Sequence, residues 1–301
     1  MSGIYSSPEG ARAVERRYRE LLGRWPVPGE HVHVPTGQGE TFVLASGPDG
    51  APAVVLLHGS GATSAMWMGD VAAWARRFRV YAVDVIGEPG LSAPSRPPLG
   101  SGAYAAWLDD VLDALGVERA SMVGVSLGGW LAVDYATRRA GRVERLALLC
   151  PSGIGRRRWL PLLGALPLML LGDRGLRRAM RRLLGPAADG WAANGSAAEG
   201  LAANGSAAAG GDLGAFSLLI QKSFRPRRGK VPVFGDEALR GLAVPVLAIV
   251  GGRDALLDSH DTRRRLQRNV PHAEVRLLPD AGHLLPAHTR EIMDFLETAH
   301  A

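Results

Sequence analysis

The chain has 301 residues, of which 47% are hydrophobic, so it is long enough to bury one large core. Its formal net charge of +6 raises the question of a nucleic-acid partner. The charge is spread along the chain and is almost all arginine, since lysine occurs only as Lys222 and Lys230. No basic motif with interleaved aromatic residues accompanies it, so the composition does not support nucleic-acid binding.

Cysteine content and hydropathy bear on the compartment. Cys150 is the only cysteine, so no intrachain disulfide can form, and it is expected to be a small buried hydrophobe. The first residues run into a charged segment without the apolar core of a signal peptide, which favours a cytoplasmic location. No apolar run reaches the roughly 18 to 20 residues that a membrane-spanning helix requires.

Strand and helix patterns alternate over the first half of the chain. An arginine-rich helix is predicted over residues 8–22 and a hairpin of strands over 31–46. Strands then alternate with helices, with strands at 53–57, 79–83, 120–125 and 144–149 and helices near 67–76, 103–115 and 128–138. This alternation predicts an α/β fold, a mostly parallel central sheet flanked by helices on both faces.

The pattern is interrupted between residues 156 and 240 and resumes at Val244. The interruption contains an apolar run over 159–171, a basic helix over 174–184 and a tract rich in glycine and alanine over 190–212. Small, polar sequence buries too little apolar area to offset its ordering entropy, so this tract is expected to be mobile. We therefore predict a catalytic core from residues 1–155 and 241–301, with a helical cap over 156–240.

Residues 124–128 read Gly-Val-Ser-Leu-Gly between a predicted strand and a predicted helix. Such a turn forces its central residue into a strained conformation that small neighbours tolerate, and it projects the hydroxyl of Ser126 as a nucleophile. The backbone N–H of Leu127 lies at the helix start, where it can receive an oxyanion. A spectator serine in a glycine-rich turn is the alternative, because about 0.4 matches arise by chance in so glycine-rich a chain.

The order of the other polar groups favours the catalytic interpretation. Strand 53–57 leads into a loop that reads His-Gly-Ser-Gly over 58–61 and offers backbone N–H groups. Asp254 follows the strand that ends at Val250, and His283 follows a last strand over 274–278. An oxyanion loop, a serine, an acid and a histidine thus each follow the carboxyl end of a strand, where open α/β sheets have their sites.

These residues resemble the α/β-hydrolase superfamily over nearly the whole chain. Within it, residues 24–28, 82–87 and 233–237 are most similar to bacterial serine carboxylesterase-like hydrolases. The resemblance implies hydrolysis of a carboxylic ester or thioester by side chains alone, without a cofactor. It implies Ser126 as nucleophile, His283 as general base and Asp254 as orienting acid, with the oxyanion bound by the N–H groups of Ser60 and Leu127.

One departure concerns the acid. Many relatives carry a proline a few residues after it, whereas this chain offers a second carboxylate, Asp258. Asp254 occupies the family position and is preferred. His58 is expected to order the oxyanion loop and Asp84 to form a turn.

Several residues are candidates for the pocket that binds a small-molecule ester. They lie on the oxyanion loop, near the nucleophile and in the cap: Gly59, Gly61, Met66, Trp67, Trp130, Leu163 and Leu168. Methionine and aromatic residues more often belong to a core, which is the alternative for three of them. No metal site is expected, because no histidine or carboxylate pair shows ligand spacing on one element. The arginines of the cap form either a solvated face, the commoner case, or a surface for transient membrane contact.

Other functions on the same fold remain open at the level of sequence. An aspartate at the centre of the turn over residues 124–128 would indicate dehalogenase or epoxide hydrolase chemistry, but the chain has serine there. Carbon-carbon bond hydrolases share the serine triad, although they commonly have Asn where Val125 stands. A cofactor-free haloperoxidase-like perhydrolase is a further alternative, and a ligand-binding sensor is the alternative outside the enzymes.

Overall fold

A computed structural model describes residues 3–169, 171–185, 207–227 and 229–298 of the chain. Within them, eight strands form one sheet: β1 (Gly29–Val34), β2 (Thr41–Ser46), β3 (Ala53–Leu57), β4 (Arg79–Val83), β5 (Ala120–Val125), β6 (Val143–Leu149), β7 (Val246–Gly251) and β8 (Glu274–Leu278). Their spatial order is β1-β2-β4-β3-β5-β6-β7-β8. Strand β2 is antiparallel to β1 and β4, and the other pairs are parallel, which confirms the predicted sheet.

The α-helices lie between and around these strands. In chain order they are α1 (Pro8–Leu22), α2 (Val71–Trp74), α3 (Ala103–Ala114), α4 (Leu127–Arg138), α5 (Leu160–Met169), α6 (Gly172–Leu184), α7 (Ala207–Ser223), α8 (Asp236–Arg240), α9 (Ser259–Asn269) and α10 (Thr289–Glu297). The single helix predicted near 67–76 is instead a 3₁₀ turn, Ser64–Gly69, followed by α2. Asp70 lies between them with φ −105° and ψ −35°, still in the right-handed helical region, and its amide donates to the carbonyl of Trp67 as the C-cap of the 3₁₀ turn.

Side chains alternate across the strands and build a core on each face of the sheet. Val55 and Leu57 of β3 face α3, α4 and α9, whereas Val54 and Leu56 face α1, α2 and α10. Both faces are thus covered by helices, which is why the central parallel strands consist of nearly continuous apolar residues. No helix in the described ranges is long and apolar enough to cross a membrane.

The chain leaves the sheet after β6 and returns at β7, with α5, α6, α7 and α8 between. Of the tract predicted to be mobile, residues 190–206 lie outside the described residues. Its last part, 207–212, forms the start of α7, and the mobility of the tract stays a prediction. Asp212 there forms ion pairs with Arg17 and Arg24, contacts that the local composition does not reveal.

Candidate active site

Ser126 occupies a strained turn between β5 and α4. Its backbone has φ +51° and ψ −106°, a conformation that non-glycine residues rarely adopt. The flanking glycines allow it: a Cβ on Gly124 would lie 2.6 Å from the carbonyl carbon of Gly128, and one on Gly128 would lie 2.0 Å from the oxygen of Leu57. Helix α4 therefore packs directly against the strands, and Ser126 lies half-buried at their carboxyl edge.

Asp254 and His283 form a hydrogen-bonded pair at the same edge of the sheet. His283 Nδ1 lies 2.7 Å from Asp254 Oδ2, and both side chains are buried. The other carboxylate oxygen, Oδ1, accepts hydrogen bonds from the amides of Leu256 (2.7 Å) and Leu257 (2.9 Å). Both oxygens thus have partners, and the loop after β7 fixes the carboxylate in the orientation that the imidazole requires.

Asp258, the second carboxylate of this loop, caps a helix. Asp258 precedes α9 and its Oδ1 accepts a hydrogen bond from the amide of Asp261 at 3.0 Å, which makes it the N-cap of that helix. Its own amide donates to the carbonyl of Arg156 at 2.8 Å. The geometry therefore pairs His283 with Asp254 and uses Asp258 to begin a helix.

The hydroxyl of Ser126 lies 3.3 Å from the hydroxyl of Ser152, which follows β6. Among the described residues, no hydrogen bond joins Ser126 to His283. Catalytic hydrogen bonds are often long in the absence of substrate and shorten only in the complex with it. The arrangement is therefore compatible with a Ser126–His283 hydrogen bond that forms when substrate binds. The sequence analysis did not single out Ser152. It follows β6, and no motif of the family marks the end of that strand.

The loop after β3 approaches the nucleophile closely. A Cβ on Gly59 would lie 3.6 Å from the Cβ of Ser126. His58 is fully buried; its Nε2 accepts a hydrogen bond from the amide of Val85 (2.9 Å) and its Nδ1 lies 2.9 Å from the carbonyl of Gly59. His58 thus orders the loop, as expected.

Glu88 is a further site residue that the sequence did not predict. It lies in the loop after β4, and its carboxylate binds the oxyanion loop through Ser60 and Gly61. An acidic residue just beyond the carboxyl end of a central strand is the signal that could have found it. Asp84, at the start of the same loop, accepts hydrogen bonds from the Tyr18 hydroxyl (2.8 Å) and the amides of Ser64 (3.0 Å) and Leu91 (2.9 Å), a structural role.

The pocket candidates lie in different surroundings. Trp67 packs on Trp74 in one core, and Trp130 stacks on Phe234 with ring centroids 5.5 Å apart in the other. Met66 and Leu168 are half-buried, Gly59 and Gly61 are buried, and Leu163 is 59% exposed. Contact of any of these residues with substrate stays a prediction.

Cys150 lies beside the acid and the histidine. Its Sγ, a carboxylate oxygen of Asp254 and a ring nitrogen of His283 lie within 4.8 Å of one another. Burial raises the pKa of the Cys150 thiol well above its usual range, which keeps it protonated. The thiol therefore packs behind the pair as a neutral group.

With this geometry in view, comparison with known proteins gives a consistent result. Residues 54–295 match the alpha/beta hydrolase family. The chain is 31% identical over 291 residues to carboxylesterase YbfK of Bacillus subtilis (strain 168), covering 96% of this chain and 94% of that protein. It is 33% identical over 275 residues to a protein of the same strain named uncharacterized carboxylesterase nap, covering 89% and 85%.

The solved structures agree. The crystal structure of carboxylesterase CesB (YbfK) from Bacillus subtilis matches with a TM-score of 0.78 at 29% identity, covering 96% of this chain and 98% of that one. The naproxen esterase (carboxylesterase NP) of the same species matches with a TM-score of 0.75 at 28% identity, covering 97% and 98%. The chain belongs to the alpha/beta hydrolase family. Within that family it is a carboxylesterase-like serine hydrolase.

Proposed function

We propose that this protein hydrolyses a small-molecule carboxylic ester through an acyl-enzyme on Ser126, with His283 as general base and Asp254 as orienting acid. The observation that carries the proposal is the Asp254 carboxylate, which bonds His283 on one oxygen and two loop amides on the other. That pairing supports one tautomer of the imidazole, with its proton on Nδ1 and a lone pair on Nε2 for the serine.

The reaction proceeds in two halves. Ser126 Oγ forms a bond to the ester carbonyl carbon while its proton passes to His283 Nε2. The tetrahedral intermediate then expels the alcohol, which takes the proton from His283 and leaves an acyl-serine. A water molecule attacks the acyl group, gives its proton to His283 and releases the acid, and the proton returns to the Ser126 oxygen.

Negative charge that develops on the carbonyl oxygen needs donors in both halves. The amides of Ser60 and Leu127 are proposed for this role, and each such donor is typically worth about 3 to 4 kcal/mol of transition-state stabilisation. The close approach of Gly59 to Ser126 supports it, because the next amide along the loop is that of Ser60.

Residues 156–240 are proposed to form a cap over this site, with the core built from 1–155 and 241–301. Its first residues attach to the loop of the acid, since the amide of Arg158 donates to the carbonyl of Leu256 at 2.8 Å. Its last long helix packs on α1, where Phe216 stacks on Tyr18 with centroids 5.8 Å apart. Helices anchored at both ends in this way support a cap whose apolar face, including Leu163 and Leu168, selects the acyl group.

A panel of p-nitrophenyl esters graded by acyl length, assayed beside a meta-cleavage dienoate, tests the proposal. The expected result is saturable release of p-nitrophenol by the wild-type protein and no comparable turnover of the dienoate. Preferential cleavage of the dienoate would establish carbon-carbon bond hydrolysis instead. Turnover of neither by protein that an activated-serine probe also fails to label would favour a ligand-binding role.

A further inference from the structure

Glu88 is buried behind the loop that is proposed to bind the oxyanion. Only 1% of the residue is exposed, although it carries a carboxylate. Its Oε2 accepts a hydrogen bond from the Ser60 hydroxyl and another from the amide of Gly61, both at 2.8 Å. One oxygen of Glu88 thus binds two consecutive residues of the oxyanion loop.

The other oxygen of the carboxylate differs. Glu88 Oε1 is buried and has no hydrogen-bond partner within the described part of the chain. Burial raises the pKa of the Glu88 carboxyl, against the opposing effect of the hydrogen bonds from Gly61 and Ser60. A buried carboxyl with an unsatisfied oxygen destabilises a fold. Glu88 is therefore better explained by a role in function than by a role in stability.

The backbone that carries Glu88 is itself held firmly. The amide of Gly87 donates to the carbonyl of Ala93 at 2.9 Å, and Arg96 Nε donates to the carbonyl of Gly87 at 2.7 Å. The amide of Glu88 donates to the carbonyl of Val85 at 3.1 Å. The carboxylate therefore projects from a fixed turn and can act as a rigid support.

The oxyanion loop needs such a support on one side. Before Ser60, His58 fixes the loop through Val85 and the carbonyl of Gly59. After it, Gly61 adopts φ +71°, and the Ser60 side chain is exposed apart from its bond to Glu88. On that side the amide of Ala62 donates to the carbonyl of Gly59 at 3.3 Å, and Glu88 adds the two side-chain contacts that hold Ser60 and Gly61.

We propose that Glu88 is a positioning residue that fixes the Ser60 and Gly61 segment so that the Ser60 N–H points at the developing oxyanion. The role rests on the proposed esterase function and adds a residue to it. Glu88 takes no part in bond making. It acts in the transition state through Ser60, since a misaligned donor loses most of its interaction with the oxyanion while substrate binding changes little.

Substitutions at Glu88 distinguish a role as hydrogen-bond acceptor for the loop from a role in packing alone. Glu88→Gln keeps a side-chain oxygen for both donors, whereas Glu88→Ala leaves the Gly61 amide and the Ser60 hydroxyl without an acceptor. Asp70→Ala is the matched control, because Asp70 is another carboxyl whose pKa is raised by burial, and it is bonded by the Thr289 hydroxyl between α2 and α10. Its loss should leave the loop after β3 unchanged.

Steady-state kinetics on p-nitrophenyl acetate and the inhibition constant of an arylboronic acid, which forms a tetrahedral adduct on serine, provide the readout. We expect Glu88→Ala to lower kcat about 100-fold, the usual loss for one oxyanion donor, with KM within about threefold. The affinity for the boronic acid should fall by a similar factor. Glu88→Gln should recover kcat to within about fivefold of the wild type, and Asp70→Ala should stay within about threefold.

A folded Glu88→Ala protein with wild-type kcat overturns the inference, and so does an equal loss of kcat in the Asp70→Ala control. If Glu88→Ala does not fold, Glu88→Asp decides, because it keeps the charge but withdraws the acceptor. The inference requires Glu88→Gln to be the more active of the two, and the reverse order contradicts it. Failure of the proposed function is seen separately, as absent ester turnover in the wild-type protein.

Discussion

The carboxyl edge of the sheet and the inserted segment between β6 and β7 are built on different principles. At the sheet edge, Asp254 and His283 are buried; Asp254 accepts hydrogen bonds from two backbone amides of its own loop and pairs with His283. In the insertion, α5 exposes 82% of Leu160 and 59% of Leu163, and α6 carries five arginines. The polar groups of the candidate site are therefore fixed by the core, whereas the insertion carries exposed apolar and basic side chains.

The largest expected effect lies at the sheet edge. Ser126→Ala should lower kcat on the order of 10⁶-fold, because the nucleophile is removed and only binding and oxyanion stabilisation remain. The free energy of unfolding should change by less than about 1 kcal/mol, since the hydroxyl contributes little to the core. Ester kinetics and thermal unfolding measure the two quantities; more than a tenth of wild-type activity would contradict the assignment.

The two carboxylates of the loop after β7 should differ strongly. Asp254→Asn should lower kcat about 10⁴-fold, because an amide favours the wrong imidazole tautomer. Asp258→Asn is the matched control and should leave kcat within about threefold, since asparagine also caps helices well. A larger loss of kcat in Asp258→Asn than in Asp254→Asn would transfer the orienting role to the second carboxylate.

The insertion should affect choice of substrate more than chemistry. Placing aspartate at Leu163 or Leu168 should raise KM for octanoate esters at least tenfold but change KM for acetate little, because burial contributes about 0.8 kcal/mol per methylene. Leu160→Asp is the control, since that side chain is 82% exposed already. Equal changes of KM for the short and long esters would show that this surface does not contact the acyl chain.

The last expected effect concerns the pH dependence of stability rather than activity. Burial raises the pKa of Asp70 to about 6 from its ordinary 3.8, so the folded protein binds this proton more tightly than the unfolded chain. The contribution of Asp70 to stability is therefore greatest below pH 4 and declines as pH rises through about 6. Urea unfolding between pH 4 and 7 should show this decline, of roughly 2 kcal/mol, in the wild type and not in Asp70→Asn.

Much of the fold could be predicted from the sequence because its signals are local. Strands β3 and β4 were predicted with the bounds that the structure has, since short apolar runs end at polar loops. The helix predicted near residue 70 was wrong in detail, because apolar periodicity does not distinguish one α-helix from a 3₁₀ turn followed by a short α-helix.

The site divides in the same way. Ser126, Asp254 and His283 were proposed from their order after the carboxyl ends of β5, β7 and β8, and the Asp254 and His283 side chains do meet. Glu88 was not proposed, because its role depends on the approach of two loops 27 residues apart that no local pattern records. The start of α7 was missed for the same reason, since Asp212 is held by arginines about 190 residues away.

Labelling with a fluorophosphonate followed by peptide mapping shows which serine is the activated nucleophile. Ser152 provides an internal comparison, because its hydroxyl lies 3.3 Å from that of Ser126. We expect one adduct per chain, on Ser126, that is absent from Ser126→Ala and retained in Ser152→Ala. An adduct on Ser152, or labelling that persists in Ser126→Ala, would contradict the assignment of Ser126.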